Sequence, residues 1–454
     1  MKSYDLAIIG SGPGGYIAGL YAARHNLHTC VIEKDLTGGT CLNRGCIPTK
    51  VMLHSASILS LIKNSAVYGV DVRECALNFQ TVLKRRDEVV MRLRTGVETL
   101  LRANKVDLIR GKGSLAGPSL IKIDGQDDVK ASNIIIAAGS KVSSIPSVKI
   151  DDENTLSSDS ALNIEKVPDK MVIIGGGVIG CEFASLFNTF GVKITIVELL
   201  DRIIPGQSKE ASKKLEAIFK KRGIEVFTSS GVESVTGRGP LKVNIAGGRT
   251  VDADKVLVSV GRISATEGLG LESAGILLEK GRIAVDGHLR TAAKNVYAIG
   301  DCVKGPLLAH KASYDGILAC DNILGKSRTV DYSNIPSCIY TEPEIASIGI
   351  SEDAARADVP GSKTAKFPYI ASGKAYLLGK TEGYIKIIGD KDGTFLGCEI
   401  MGEGACDLIG EGVISKSFGL NIKDLANVVH GHPTLSEIFQ EAAHVFSGSA
   451  IHSV

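Results

Sequence analysis

The chain carries almost no net charge: 52 lysines and arginines against 50 acidic residues leave +2 over 454 residues. Bulk electrostatics therefore gives no reason to expect nucleic acid or an anionic membrane as partner. No segment holds an unbroken run of about 20 apolar residues, the length a bilayer-crossing helix needs. The N-terminus lacks a charged leader, a long apolar region and a cleavage site, since MKSYDLAIIG runs straight into a strand-like stretch. Together these absences predict a cytoplasmic protein. Cysteine is sparse for such a length, ten in all. In a reducing compartment Cys30, Cys75, Cys181, Cys302, Cys320, Cys338, Cys398 and Cys406 are expected to be small buried hydrophobes, and no metal site is expected.

What is abundant is glycine, 52 residues, in a chain whose apolar and charged fractions of 44% and 22% are those of a soluble globular protein. Its length exceeds one core and predicts about three domains. Many of the glycines fall in strand–turn–helix contexts, which suggests nucleotide cofactors.

A repeat makes this concrete. Residues 4–34 read YDLAIIGSGPGGYIAGLYAARHNLHTCVIEK, and residues 171–199 read MVIIGGGVIGCEFASLFNTFGVKITIVEL. Gly10, Gly12, Gly15 and Glu33 recur at identical spacing as Gly175, Gly177, Gly180 and Glu198. One such glycine motif is weak evidence, but two in the same context, each with its acid about 20 residues on, form a strong dinucleotide signal. The glycines allow a tight turn and close approach to a pyrophosphate on a helix N-terminus, and the acid binds ribose hydroxyls. A carboxylate at Glu198 would repel the 2′-phosphate of NADP, so the second site is expected to prefer NAD. The strand Val296–Ile299 ends in Gly300–Asp301, a carboxylate suited to the ribityl chain of a flavin or to capping the next helix. The first site is then assigned FAD, with IIIAAGS (134–140) as a small-residue strand end closing over it.

The stretch GGTCLNRGCIPTK (38–50) holds the only closely spaced cysteines. On a regular helix Cys41 and Cys46 would have Cα atoms about 8.7 Å apart, beyond the roughly 7 Å a disulfide spans. Gly45 and Pro48 loosen that turn, so a distorted helix start could bring the sulfurs together. A structural disulfide, a metal pair and two unrelated thiols all remain open on spacing alone.

The order of motifs is more telling: the first GxGxxG, GGTCLNRGCIPTK, the second GxGxxG with Glu182 two positions on, YAIGD, and HGHPTLSE (430–437). In this the whole chain resembles the pyridine nucleotide–disulfide oxidoreductase family, and most closely its dihydrolipoamide-oxidising branch. The resemblance implies an α/β protein with two Rossmann-like dinucleotide-binding domains and a C-terminal α+β dimerisation domain. The segments would be 1–145 (FAD, first part), 146–264 (NAD), 265–335 (FAD, second part) and 336–454 (interface). It implies a redox-active Cys41–Cys46 disulfide, with Cys46 nearer the flavin as the charge-transfer thiolate and Cys41 exchanging with the dithiol. His432 becomes the acid–base, oriented by Glu437 and acting on the disulfide of the other subunit of a homodimer. Lys50 would approach the flavin, with Glu182 as its ion-pair partner beside the nicotinamide. The family pattern adds Lys34, Gly39, Thr40, Gly113, Gly139, Ser140 and Ala309 to the flavin site and Gly261 to the NAD site. Implied partners are the lipoyl domains and acyltransferase core of 2-oxo acid dehydrogenase complexes, or a glycine cleavage complex. The chain begins at the flavin fold, so no fused lipoyl domain is expected.

Departures are few. Arg44 stands where an apolar residue is common, and its cation would either favour a thiolate or be solvated; Thr49 replaces a common serine, and Gly431 separates His430 from His432. Among relatives, glutathione-type reductases use NADPH, which Glu198 opposes, and mercuric reductases end in vicinal cysteines, whereas this chain ends FSGSAIHSV. NADH oxidases and coenzyme A-disulfide reductases rely on one cysteine. A flavin-bound dimer serving only as a scaffold is opposed by the complete catalytic set.

Overall fold

The structure, a computed structural model, describes residues 1–452. The chain forms two compact units: residues 1–145, 156–166 and 261–332, and residues 146–155, 167–260 and 333–454.

The first unit begins with β1 (Lys2–Ile9), α1 (Pro13–Arg24) and β2 (Thr29–Glu33). Leu6, Ala7, Ile8, Cys30 and Val31 are wholly buried, as expected for strands covered on both faces. After α2 (Gly39–Arg44), α3 (Cys46–Lys63) and α4 (Phe79–Ala103) come β3 (Asp107–Arg110), β4 (Gly113–Gly117), β5 (Leu120–Ile123) and β6 (Val129–Ile136). Strands β3, β2, β1 and β6 lie side by side and parallel, while β5 and β4 extend the sheet antiparallel. The late strand Val296–Ala298 returns to pair parallel with β6. It ends one residue earlier than expected, because Gly300–Cys302 turns into a short 3-10 helix.

In the second unit Lys170–Ile174 and Lys193–Val197 flank the helix Val178–Thr189 and pair parallel, with Glu225–Phe227 and Lys255–Val258 outside them. The chain from Ser337 builds an antiparallel sheet in the order Ser337–Ile339, Glu344–Gly349, Phe395–Gly402, Tyr384–Gly389 and Lys363–Pro368. The helices Ala405–Ser417 and Glu437–Phe446 cover it, and Phe367, Ile385, Ile400, Ile438 and Phe439 form their common core.

One observation differs from the sequence expectation. The helical stretch Gly39–Lys63 is long and apolar enough, by length and composition, to cross a membrane. Arg44 and Lys50 interrupt its apolar residues without removing its overall apolar composition. This stretch is also interrupted at Gly45, whose φ of −136° and ψ of −111° are not helical.

Candidate active site

The first glycine motif is shaped by contacts that no side chain would survive. Gly10 has φ +102°, and a Cβ there would meet the Ala137 carbonyl oxygen at 2.4 Å. A Cβ on Gly15 would come within 1.9 Å of the Gly10 oxygen. Gly12 caps α1, and nothing lies within 4 Å of where its Cβ would stand. Gly39, at φ +61°, approaches Gly12 so closely that a Cβ would lie 2.7 Å from its Cα. Two bare backbone turns thus face one another at the start of α1, which is the cradle a pyrophosphate requires.

A second helix reinforces that end. Ala309–Ile323 runs beside α1: the Ser313 hydroxyl donates to the Pro13 carbonyl at 3.5 Å, and the Cys320 thiol to that of Ala18 at 3.4 Å. The helices are therefore parallel, packed through Gly14 and Gly316, and their positive N-terminal ends point the same way. Ala309 is the first residue of this helix. Glu33, buried at the end of β2, accepts from the Ser11 backbone at 2.8 Å and its hydroxyl at 2.6 Å through one oxygen. Its other oxygen accepts from the Asp35 backbone at 2.8 Å.

Asp301 does not cap a helix; it sits within the 3-10 turn, where its carboxylate accepts from the Ser140 hydroxyl at 2.6 Å. Arg262, unsuspected from sequence, donates to the Ser140 hydroxyl and carbonyl at 2.8 and 2.9 Å. Gly139 next to it adopts φ +72°. Also unsuspected is the wholly buried pair Lys311–Asp315, 2.7 Å apart. Lys311 donates to the Gly300 carbonyl and Asp315 accepts from the Gly300 N–H, both at 2.9 Å, so the pair grips the residue before Asp301. Burial pushes the Asp315 carboxyl up, opposed by Lys311. The i,i+4 spacing in HKASYDG was the available signal. Other expected residues are more dispersed. Lys34 is exposed beyond Glu33, Gly113 packs against Ile32 and Ile121 in the core, and Gly261 belongs to the first unit.

The second motif repeats the first. Gly175 has φ +103°, a Cβ on Gly180 would stand 2.0 Å from the Gly175 oxygen, and Gly177 caps its helix with nothing within 4 Å. Buried Glu198 accepts from the Gly176 N–H at 2.6 Å and the Leu200 N–H at 2.8 Å. The glycine at 176 removes the hydroxyl that Ser11 supplies in the first copy. Glu182 is buried on the same helix, and its carboxylate accepts from the Tyr340 backbone at 3.0 Å.

The cysteines lie on the two sides of the break at Gly45, Cys41 within α2 and Cys46 opening α3. The break brings the thiols into hydrogen-bond contact. Gly38 and Gly39, both at positive φ, set the start of α2; Thr40 follows, and its carbonyl would lie 3.0 Å from a Cβ on Gly45. The Thr49 hydroxyl donates to the Gly45 carbonyl at 2.7 Å and so satisfies the broken turn. The Cys41 proton is held well above the ordinary thiol range, first by the bond to Cys46 and then by burial, while the Lys50 ammonium pulls it down. Arg44 turns away to pair with Asp35. Burial first, and then the nearby Cys41, raise the phenol of Tyr16 on α1.

In the second unit His432 Nδ1 lies 2.8 Å from Glu437 Oε1, and the Thr434 N–H donates to the other oxygen at 2.7 Å. Burial would raise the Glu437 carboxyl, but Thr434 and His432 outweigh it and hold it low. With Nδ1 on the carboxylate, Nε2 is left facing outward from an imidazole whose side chain is 80% exposed. His430 is instead buried against Glu411 at 3.0 Å.

Residues 4–316 match the family model described as pyridine nucleotide-disulphide oxidoreductase, and residues 335–443 match that family's dimerisation domain. Similar proteins include a dihydrolipoyl dehydrogenase of Bacillus subtilis, 39% identical over 99% of both chains. One from Chlamydia pneumoniae is 40% identical over 99% of this chain and 98% of that one. Among solved structures, LpdA from Mycobacterium tuberculosis superposes with a TM-score of 0.92 at 27% identity, over 98% of this chain and 99% of that one. The chain belongs to the pyridine nucleotide-disulphide oxidoreductase family.

Proposed function

We propose that this protein oxidises protein-bound dihydrolipoamide to lipoamide and reduces NAD⁺. It would work as a cytoplasmic homodimer within a 2-oxo acid dehydrogenase or glycine cleavage complex. The observation that carries the reading is the Cys41–Cys46 contact across a broken helix beside Lys50. Residues 1–145 and 265–335 serve FAD, 146–264 serve NAD, and 336–454 form the subunit interface.

The residues present fit both nucleotides. The Gly12–Gly39 approach leaves backbone where a Cβ would stand, and two parallel helix N-termini favour a pyrophosphate there. Glu33 and Ser140–Asp301 supply acceptors and donors for ribose and ribityl hydroxyls, with Lys311 and Asp315 fixing the turn that carries Asp301. Glu198 does the same for NAD and repels a 2′-phosphate. FAD, when bound, supplies hydride transfer between the dithiol and NAD⁺.

The protein's own work is thiol and proton handling. Cys41 attacks or is attacked in exchange with the substrate dithiol, through thiolates. Cys46, at the N-terminus of α3, is placed where negative charge is favoured, and Lys50 adds to that. His432 takes the substrate thiol proton at Nε2 and returns it, while Glu437 holds the tautomer and balances the imidazolium. Glu182 serves the nicotinamide side. The experiment is turnover of the purified yellow dimer with dihydrolipoamide and either NAD⁺ or NADP⁺. The expected result is NADH formation with at least about a hundredfold preference in kcat/KM for NAD⁺, since the Glu198 carboxylate repels the added phosphate. Equal use of NADP⁺ would remove the role given to Glu198, and absence of dithiol turnover would remove the substrate.

A further inference from the structure

The family chemistry uses one pair of cysteines, but the structure contains a second pair in contact. Cys338 lies in the strand Ser337–Ile339, and Cys406 is the second residue of the helix Ala405–Ser417. They are 68 residues apart in sequence. The Cys338 thiol reaches the Cys406 carbonyl at 3.9 Å, and the Cys406 thiol the Ile339 carbonyl at 3.7 Å. The two thiols are also in hydrogen-bond contact with each other. Both residues are partly exposed rather than sealed in the core. A third group completes the cluster: Glu344 accepts from the Cys406 N–H at 3.0 Å and contacts its thiol.

We infer that Cys338 and Cys406 form a second thiol–disulfide centre, one that closes into a staple between the strand Ser337–Ile339 and the helix Ala405–Ser417. It is independent of the flavin relay proposed above. The oxidant is a low-molecular-weight disulfide, and the reaction is exchange. Cys406 loses its proton to solvent, a step the neighbouring Glu344 carboxylate slows, and the thiolate attacks the small disulfide, giving a mixed disulfide and one small thiolate. Cys338, deprotonated in turn, attacks the Cys406 sulfur and expels the second. The balance is one protein dithiol and one small disulfide giving one protein disulfide and two small thiols, with two electrons passing outward. A contact already within thiol hydrogen-bonding reach needs little backbone movement to become a bond. Closing a loop of this length restricts the unfolded chain, so oxidation is expected to stabilise the fold.

The test equilibrates the folded holoprotein, wild type and Cys41→Ser/Cys46→Ser, with glutathione disulfide, then alkylates and maps peptides. The expected result is a crosslinked Cys338–Cys406 peptide in both proteins, reversed by a phosphine. A melting temperature several degrees above that of the reduced protein should accompany it, and Cys406→Ser should lose both signs. Full alkylation of both thiols after equilibration would overturn the inference, as would recovery of each only as a separate glutathione adduct. Peptide mapping of the wild type decides the matter even if a cysteine variant folds poorly.

Discussion

Two thiol pairs sit in this chain with the same contact and opposite surroundings. In each, one cysteine opens a long helix, Cys46 on Cys46–Lys63 and Cys406 on Ala405–Ser417. In each, the neighbouring thiol is the strongest influence holding a proton on the pair. The difference is the next charge. Lys50 lowers the Cys41 thiol, whereas Glu344 raises that of Cys406 and itself takes the N–H at the helix start. Sulfur proximity therefore makes a pair able to form a bond, and the nearby cation or carboxylate decides how readily a thiolate is available. Only the first pair is proposed to turn over.

That contrast can be broken or sharpened by substitution. Cys46→Ser should lower dihydrolipoamide–NAD⁺ activity by at least about a thousandfold, as loss of a reacting group does; a rate near wild type would place the chemistry elsewhere. His432→Gln removes a proton acceptor that only the first pair is proposed to use. Steady-state rates should fall by about a hundredfold or more, with alkylation of Cys406 unaltered. Lys50→Met takes away one charge, so alkylation of the Cys41–Cys46 dithiol should slow about tenfold, the equivalent of one pKa unit. The same variant should leave Cys406 unaffected.

Glu344→Gln addresses the other side. Burial holds the Glu344 carboxyl above its usual value of 4.5. Its contribution to stability is thus fully present below about 4.5 and lost as pH rises through the raised value. The wild-type urea midpoint should fall over that window, and the variant should fall less; parallel curves would contradict the assignment. The smallest effect is expected from Cys338→Ser, which should keep turnover within about twofold of wild type because it touches no proposed catalytic group.

Both dinucleotide turns were legible in the sequence because each depends on local spacing, whereas spacing left the cysteine pair open and only the family resemblance implied its redox role. Gly10, Gly15, Gly175 and Gly180 are fixed by approaches of about the same length in both copies, and such constraints leave glycine no substitute. His432 and Glu437 are close in sequence and meet as expected. What stayed hidden is built from distant segments. Arg262 reaches Ser140, and Cys338 reaches Cys406, through tertiary packing that no periodicity encodes. The Lys311–Asp315 pair was visible as spacing, yet its role at Gly300 depends on how the Ala309–Ile323 helix packs. Arg44 illustrates the converse, since its cation is spent on Asp35 and not on the neighbouring thiols.

The most direct test is an anaerobic titration of the yellow protein with dihydrolipoamide, followed by visible absorbance. A long-wavelength band developing at two electrons per flavin, absent in Cys46→Ser and followed by NAD⁺ reduction in the same cuvette, is the predicted result. Direct bleaching of the flavin with no such band would mean that Cys41 and Cys46 are not coupled to it, contradicting the account.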